Sequence, residues 1–345
     1  MDSNNSNSNK RATIKEVART AGVSIATVSR VLNKNYYVSP AIEQKVQDAI
    51  LTTGYVPDSI ARTMKKNTTY LVGFIVSDIS NPHLMSIARA IEDIIREHNY
   101  NLLVCSTEND PKLEKKYIET FISRRISGII LHSTGTLDNY VAHVSHTIPM
   151  VLVYRHNEDK SFIGDTLDTN GRKGAYDLTK YLIKKGHTKI GIINGYLQFS
   201  TSRDRLKGYS EVLQEAGVPY EEKYIYYGDF TEQEGYKGAK YLLSLDPSPT
   251  ALIGMNNAVT LGALKYLTEA KIRIPEEISL VNYGEINNAE LMSVQPTRIP
   301  QNPWSLGKKA GELIIERIKN PSLPNREVIF DAELIEGNST AFCES

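Results

Sequence analysis

From Tyr70 onward the chain repeats one theme: a short apolar run of buried-strand type, then a longer stretch with helical spacing. The apolar runs are 70–77 (YLVGFIVS), 101–107, 127–132 and 149–154, then 188–194, 222–227, 250–255 and 278–283. Helical segments fall near 84–98, 112–126, 171–186, 203–216, 231–245 and 258–270. Parallel strands need a crossover, and a run that is apolar at every position is buried on both sides. The alternation therefore predicts parallel sheets covered by helices on both faces. Two such series predict two doubly wound lobes. A chain of 345 residues with 41% apolar side chains is long enough for that core and a further small domain.

The small domain is written at the other end. Residues 12–33 read ATIKEVARTAGVSIATVSRVLN. Thr13 with Glu16 three residues on has capping-box spacing, and Val17, Ala18 and Ala21 give the first helix an apolar stripe. Gly22 supplies the positive φ of a tight turn. Ser24 then caps a second helix, 25–32, with Val28, Val31 and Leu32 facing inward. Ile25, Ala26, Thr27, Ser29 and Arg30 face outward. Helix, glycine turn, helix is the geometry that lays a second helix in the DNA major groove. Ser39 as cap and Pro40 at the first position open a third helix carrying Ile42, Val46, Ala49 and Ile50, closed by Gly54.

Charge supports this division. The chain is neutral overall, yet residues 1–68 hold ten Lys/Arg against five Asp/Glu, and the rest hold 30 against 35. A basic module on an acidic body suits phosphate contact at one end. The two cysteines, Cys105 and Cys343, are far apart and form no disulfide or metal-site pattern, which fits a reducing cytoplasm. The segment MDSNNSNSNK reads as a disordered tail without an apolar signal core, and no run of about 18 apolar residues occurs to cross a membrane. The expected organisation is a tail at 1–10, a helix-turn-helix headpiece at 11–57, a linker at 58–68 and a two-lobed core at 69–345.

The run IKEVARTAGVSIATVSRVLN resembles the headpiece of LacI/GalR-type transcriptional regulators. That resemblance implies that 58–68 is a hinge helix, folding on DNA and wedging an apolar side chain into the minor groove. The family's A-R-x-L pattern reads Ala61-Arg62-Thr63-Met64 here, so Met64 is the expected wedge, and methionine is apolar and flexible enough to intercalate. Base-edge contacts are expected from Ile25, Ala26, Thr27 and Arg30. Lys15, Ser24, Ser29, Lys34 and Tyr37 are expected on backbone phosphates, and Ala61 beside Met64 in the minor groove.

The resemblance extends over roughly 11–340 and implies periplasmic-binding-protein-like lobes joined by crossing strands, with an effector between them. Ligands of such sheets bind beyond the carboxyl ends of the strands. The first strand runs into Asp78-Ile-Ser-Asn81-Pro-His-Leu84, where the family has N-P followed by two aromatics. Arg155 matches an acidic-Arg signpost and Arg205, in R-L-K-G-Y, the Arg of an R-x-x-G-aromatic pattern. The family's N-D reads Asn256-Asn257, and its G-[FY]-D-D reads N-Y-G-E, leaving Gly284 and Glu285 where aspartates stand; Gln301 is retained. These positions are the expected effector site. Carboxylate acceptors for sugar hydroxyls are thus replaced while two guanidiniums remain, which predicts an anionic effector such as a sugar phosphate or sugar acid. The opposing expectation is that Arg155 and Arg205 pair with local acids such as Asp165 and Asp204. A second alternative is a phosphocarrier protein acting as corepressor.

Other classes fit less well. No G-x-S-x-G, GxxxxGK[ST] or post-strand G-x-G-x-x-G marks an enzyme, and the seven histidines lack metal-ligand spacing, so neither catalysis nor a cofactor is expected. A solute-binding transport protein would share the lobes but not the headpiece. The reading is a cytoplasmic, nucleoid-associated regulator of carbohydrate-related genes, expected to repress. A dimer is favoured because no leucine heptads follow Ile335.

Overall fold

The computed structural model describes residues 12–33, 36–55 and 69–343. It divides into two compact units, residues 1–69 and 70–345. The readings placed on Lys34, Ala61, Met64, the tail 1–10 and the hinge 58–68 lie outside the described residues.

The first unit holds helices α1 (Ile14–Ala21), α2 (Ile25–Asn33) and α3 (Pro40–Thr53). The capping box forms as its spacing predicts: the Glu16 amide donates to Thr13 Oγ1 at 3.4 Å and the Thr13 amide to Glu16 Oε2 at 2.6 Å. Gly22 turns the chain at φ +66, and the Thr27 amide donates to Ser24 Oγ at 3.1 Å, so Ser24 opens α2. Ser39 adopts the extended capping backbone but its hydroxyl makes no capping bond; Pro40 needs none, having no N–H to satisfy. The core is Val17, Ala18, Val28, Val31, Val46 and Ala49, with Leu32 only half-buried at its rim.

The second unit contains two all-parallel sheets. One has the strand order β11–β5–β4–β3–β1–β2, from β1 (Leu71–Val76), β2 (Asn101–Ser106), β3 (Gly128–Leu131), β4 (Met150–Val153), β5 (Asp165–Thr169) and β11 (Arg326–Phe330). The other has the order β10–β9–β8–β6–β7, from β6 (Ile190–Gly195), β7 (Ile225–Gly228), β8 (Ala251–Gly254), β9 (Ser279–Tyr283) and β10 (Thr297–Ile299). Helices α4 (Pro82–Glu97), α5 (Pro111–Ser123), α6 (Asp138–Ser145) and α11 (Pro303–Lys319) belong to the first lobe; α7 (Gly171–Lys184), α8 (Ser200–Glu215), α9 (Glu232–Leu243) and α10 (Asn257–Glu269) belong to the second. Each sheet is covered by an apolar cluster on both faces, the reason its inner strands read as unbroken apolar runs.

Six of the eight expected strands begin and end within about one residue of their runs. The first half of 222–227 is instead a 3₁₀ turn, Glu222–Tyr224; the strand starts at Ile225. The run 188–194 starts late, at Ile190, because Thr188 and Lys189 are exposed. The chain passes between the lobes three times: from β5 into α7, from β10 into α11, and after β11, where Ile335 bridges back to Arg298. Buried charge fixes β5 within the first lobe. Asp165 in β5 accepts from Arg317 at 2.7 and 2.9 Å and from Arg326 at 2.9 and 3.0 Å, locking β5 to α11 and β11. Burial alone would raise this carboxyl, but the two guanidiniums outweigh it and hold it below the usual range. Among the described residues no helix is long and apolar enough to cross a membrane.

Candidate DNA-recognition helix and effector cleft

On α2, the expected recognition helix, Ile25 is 44% exposed, and Ala26 and Arg30 are exposed beside it; Thr27 and Ser29 are half-buried. Lys15 and Tyr37 are exposed as well. Several polar groups already have local work. Ser24 Oγ caps α2 and lies 2.9 Å from Thr27 Oγ1, and Ser29 Oγ accepts from Asn33 Nδ2 at 3.1 Å. The Arg30 guanidinium sits over the Tyr36 ring at 5.8 Å. What remains free to meet a base edge is a small apolar patch, Ile25 and Ala26, beside one exposed cation, a combination suited to thymine methyls and a guanine or phosphate.

In the second unit a cleft of about 620 Å³, mouth included, opens beyond the carboxyl ends of the strands and is lined by both lobes. Eight of the nine sequence-predicted positions line it: Asp78, Asn81, Leu84, Arg155, Arg205, Asn256, Asn257 and Gln301. Glu285 does not. Its carboxylate faces Arg298 at 3.0 Å, an ion pair that turns it away from the cleft, while Gly284 before it takes φ +126 and presents no side chain. The expectation for Glu285 is corrected accordingly.

Arg155 and Arg205 are buried, 2% and 6% exposed, and among the described residues neither has an acid within ion-pair distance. Arg155 Nη1 donates to the Ser133 carbonyl and to Asn109 Oδ1 at 3.1 Å, and its guanidinium stacks on Phe199 of the other lobe at 3.8 Å. Arg205 Nη1 donates to the Met255 carbonyl at 2.5 Å, and the group lies over Tyr283 at 4.3 Å and Phe230 at 5.3 Å. The Nε of each is buried without a partner. The pairing of these arginines with Asp165 or Asp204 is therefore not found: Asp165 is taken by Arg317 and Arg326. Burial pushes Arg155 down to about 9, with Glu114 acting against the shift.

Eight further lining residues were not among the expected positions, and four of them carry rings: His83, His132, Tyr154 and Phe230. His83 Nε2 lies 2.5 Å from the Tyr154 hydroxyl, and the His132 ring stands edge-on to Tyr154 at 6.1 Å with its Nδ1 unpartnered. Burial, reinforced by Arg205, drives His83 down to about 4; burial and Arg155 likewise hold His132 neutral. His132 directly follows β3, so its place at a strand's carboxyl end was the available signal. The polar lining is partly consumed by structure. Asn256 caps α10 through the Val259 amide at 2.7 Å, and Gln301 donates to Thr169 Oγ1 at 2.9 Å. Asn257 Nδ2 donates to Asn81 Oδ1 at 3.2 Å, joining the lobes across the cleft. Asp78 accepts from the Ser80 amide and hydroxyl, both at 2.7 Å.

Behind Arg155 lies Glu114, fully buried in α5. It accepts from the Thr134 amide at 2.5 Å, and the carbonyl of that same peptide unit, Ser133 O, accepts from Arg155. One peptide group thus stands between a buried carboxyl and a buried guanidinium with its dipole aligned to both. Burial pushes Glu114 up to about 7, and the Thr134 amide opposes the shift.

A helix-turn-helix unit followed by two lobes around a cationic cleft defines a DNA-binding regulator under small-molecule control. Residues 13–58 match the model of bacterial regulatory proteins of the lacI family, and 69–336 match that of periplasmic binding proteins and the sugar binding domain of the LacI family. The chain is 34% identical over 310 residues to the HTH-type transcriptional repressor PurR of Actinobacillus pleuropneumoniae serotype 3, covering 89% of this chain and 91% of that protein. It is 31% identical over 324 residues to PurR of Photobacterium profundum, covering 94% and 97%. Among solved structures it resembles the regulator CelR in complex with cellobiose, with TM-score 0.70, 26% identity and coverage of 95% and 100%. It shares the fold of the lac repressor dimer bound to operator and anti-inducer, with TM-score 0.79, 23% identity and coverage of 96% and 100%. The chain belongs to the LacI family and is a DNA-binding transcriptional regulator.

Proposed function

We propose that this regulator is a homodimeric repressor of the cytoplasm that reads a palindromic operator through α2 and is controlled by a small anionic effector bound between its lobes. The carrying observation for the effector is the pair of buried guanidiniums, Arg155 and Arg205, each with a free Nε and no acid partner among the described residues. Such a pair favours a ligand rich in acceptors and bearing negative charge, a sugar phosphate or sugar acid before a neutral sugar. A second reading, a flat heterocycle such as a purine base or nucleotide, is favoured by the rings of His83, Tyr154 and Phe230 on the cleft wall. No catalytic role is assigned to the cleft. Effector binding would change the angle between the lobes and so the spacing of two headpieces on DNA.

A thermal-shift panel separates these readings: glucose 6-phosphate, 6-phosphogluconate and gluconate against glucose, ribose and cellobiose, with hypoxanthine and guanosine monophosphate alongside. The proposal expects the anions to raise the unfolding temperature. Stabilisation by neutral sugars alone would overturn it, and stabilisation by the uncharged base would move the assignment to the heterocycle. For the DNA half, Ala26→Gln should change operator preference by roughly 1–3 kcal/mol at one base pair of each half-site. An unaltered selected site would remove α2 from base readout.

A further inference from the structure

Three side chains beside the cleft converge with no cation at ion-pair distance among the described residues, although Arg205 and Arg172 lie within electrostatic reach of Asp168 and Asp204. His156 lies in the loop after β4, Asp168 in β5 and Asp204 in the second turn of α8. Each is half-buried, and their ligand atoms all lie within 4.8 Å of one another. Two come from the first lobe and one from the second. Asp168 accepts from the Thr169 amide at 2.7 Å. Among the described residues, the His156 ring and the Asp204 carboxylate have no hydrogen bond and no ion pair; His156 bonds only through its backbone amide, to Ser200 Oγ. Asp165, three residues before Asp168, is instead met by two arginines at ion-pair distance. Arg205, next to Asp204 in the chain, is turned away onto the Met255 carbonyl and the Tyr283 ring.

We propose that His156, Asp168 and Asp204 bind a divalent transition-metal ion, of the Zn²⁺ or Mn²⁺ class, that ties the two lobes together beside the effector cleft. The donor set is one imidazole nitrogen and two carboxylate oxygens. Borderline ions accept such a mixture, whereas Mg²⁺ prefers oxygen alone and keeps its waters. Bonds of about 2.0–2.2 Å set neighbouring ligand atoms roughly 3–4 Å apart, so modest side-chain rotation completes the site. Three protein ligands leave at least one coordination position open. Two carboxylates and a dication sum to no net charge, which removes the repulsion between Asp168 and Asp204 at the place where the lobes meet. Because His156 and Asp204 directly neighbour Arg155 and Arg205, the ion would also hold the backbone that carries both cleft arginines.

The experiment is isothermal titration and thermal unfolding of the tag-free, EDTA-treated full chain with ZnCl₂, MnCl₂ and MgCl₂. Wild type should take up one Zn²⁺ or Mn²⁺ per chain and gain unfolding temperature, with MgCl₂ weaker. His156→Ala and Asp204→Asn should each weaken uptake about tenfold or more, as loss of one ligand does. His98→Ala, an exposed histidine at the end of α4, should change nothing. His156→Ala removes no side-chain hydrogen bond or ion pair among the described residues, so it stays informative where Asp204→Asn fails to fold. No saturable uptake by wild type, as when the two carboxyls share a proton, would overturn the proposal. Uptake that survives both substitutions, or that His98→Ala abolishes, would overturn it too. The ion panel contains no effector, so its result stands or falls separately from the anion reading.

Discussion

Three buried arginines and one half-buried one lie within one lobed core, and they are treated in opposite ways. Arg317 and Arg326 close on Asp165, which is wholly buried, and every charge there is met by another. Arg155 and Arg205 are buried like Arg317 and more deeply than Arg326, yet among the described residues they are met only by carbonyls, one amide oxygen and aromatic faces, and each keeps a free Nε. A charge taken out of water costs several kcal/mol unless paired. The first pair is compensated inside the fold and holds β5, α11 and β11 together. The second is left under-compensated where the cleft is lined, and that residual potential is available to a ligand.

The comparison breaks most sharply at Asp165. Asp165→Ala strands the buried Arg317 guanidinium, while the half-buried Arg326 keeps Glu316, and unfolding in urea should show a loss of about 3–5 kcal/mol. A loss below about 1 kcal/mol would mean that the cluster is solvated and that the contrast fails. Arg205→Met should do the reverse. Removing an unpaired buried charge leaves stability unchanged or slightly raised, while affinity for the stabilising anion falls about tenfold or more. Titration calorimetry on the folded variant reads this; unaltered affinity would detach Arg205 from the site.

A smaller effect sharpens the second half. Glu114 is raised from 4.5 to about 7, so its ionisation is disfavoured in the fold. The stability it contributes is complete below pH 4.5 and is lost as pH rises through 7. Glu114→Gln, which stays neutral, should therefore gain unfolding temperature relative to wild type across that window. Parallel pH curves for the two proteins would show that the carboxyl is not held by burial against the Ser133–Thr134 peptide.

Much of this was legible from residue order. The inner strands were plain because both faces are covered and every position is apolar, and the headpiece because its caps and glycine turn are local. The strands β5, β10 and β11 were not, since DTLDT is polar at every position but Leu167, TRI is three residues long, and REVIF is only half-buried at its sheet's edge. Eight cleft positions were found because they match signposts of the resembled family, most of them just past a strand or at the start of a helix, with Arg205 in the second turn of its helix known from its R-x-x-G-aromatic pattern alone. Glu285 was misassigned because sequence adjacency does not show that Arg298, on the next strand, draws it aside. His132 and Tyr154 were overlooked because a single aromatic residue after a strand reads as core. The Glu114 contact depends on residues 19 to 41 positions apart, which no local pattern reveals.

The most direct test joins the two units of the chain. Operator affinity of the full-length protein, on a site selected from random DNA, should be measured by fluorescence anisotropy with and without the anion that most raises the unfolding temperature. The account predicts a change of about fivefold or more for wild type and none for Arg205→Met. Equal operator affinity with and without ligand in wild type, at ligand concentrations that saturate the cleft, would contradict it.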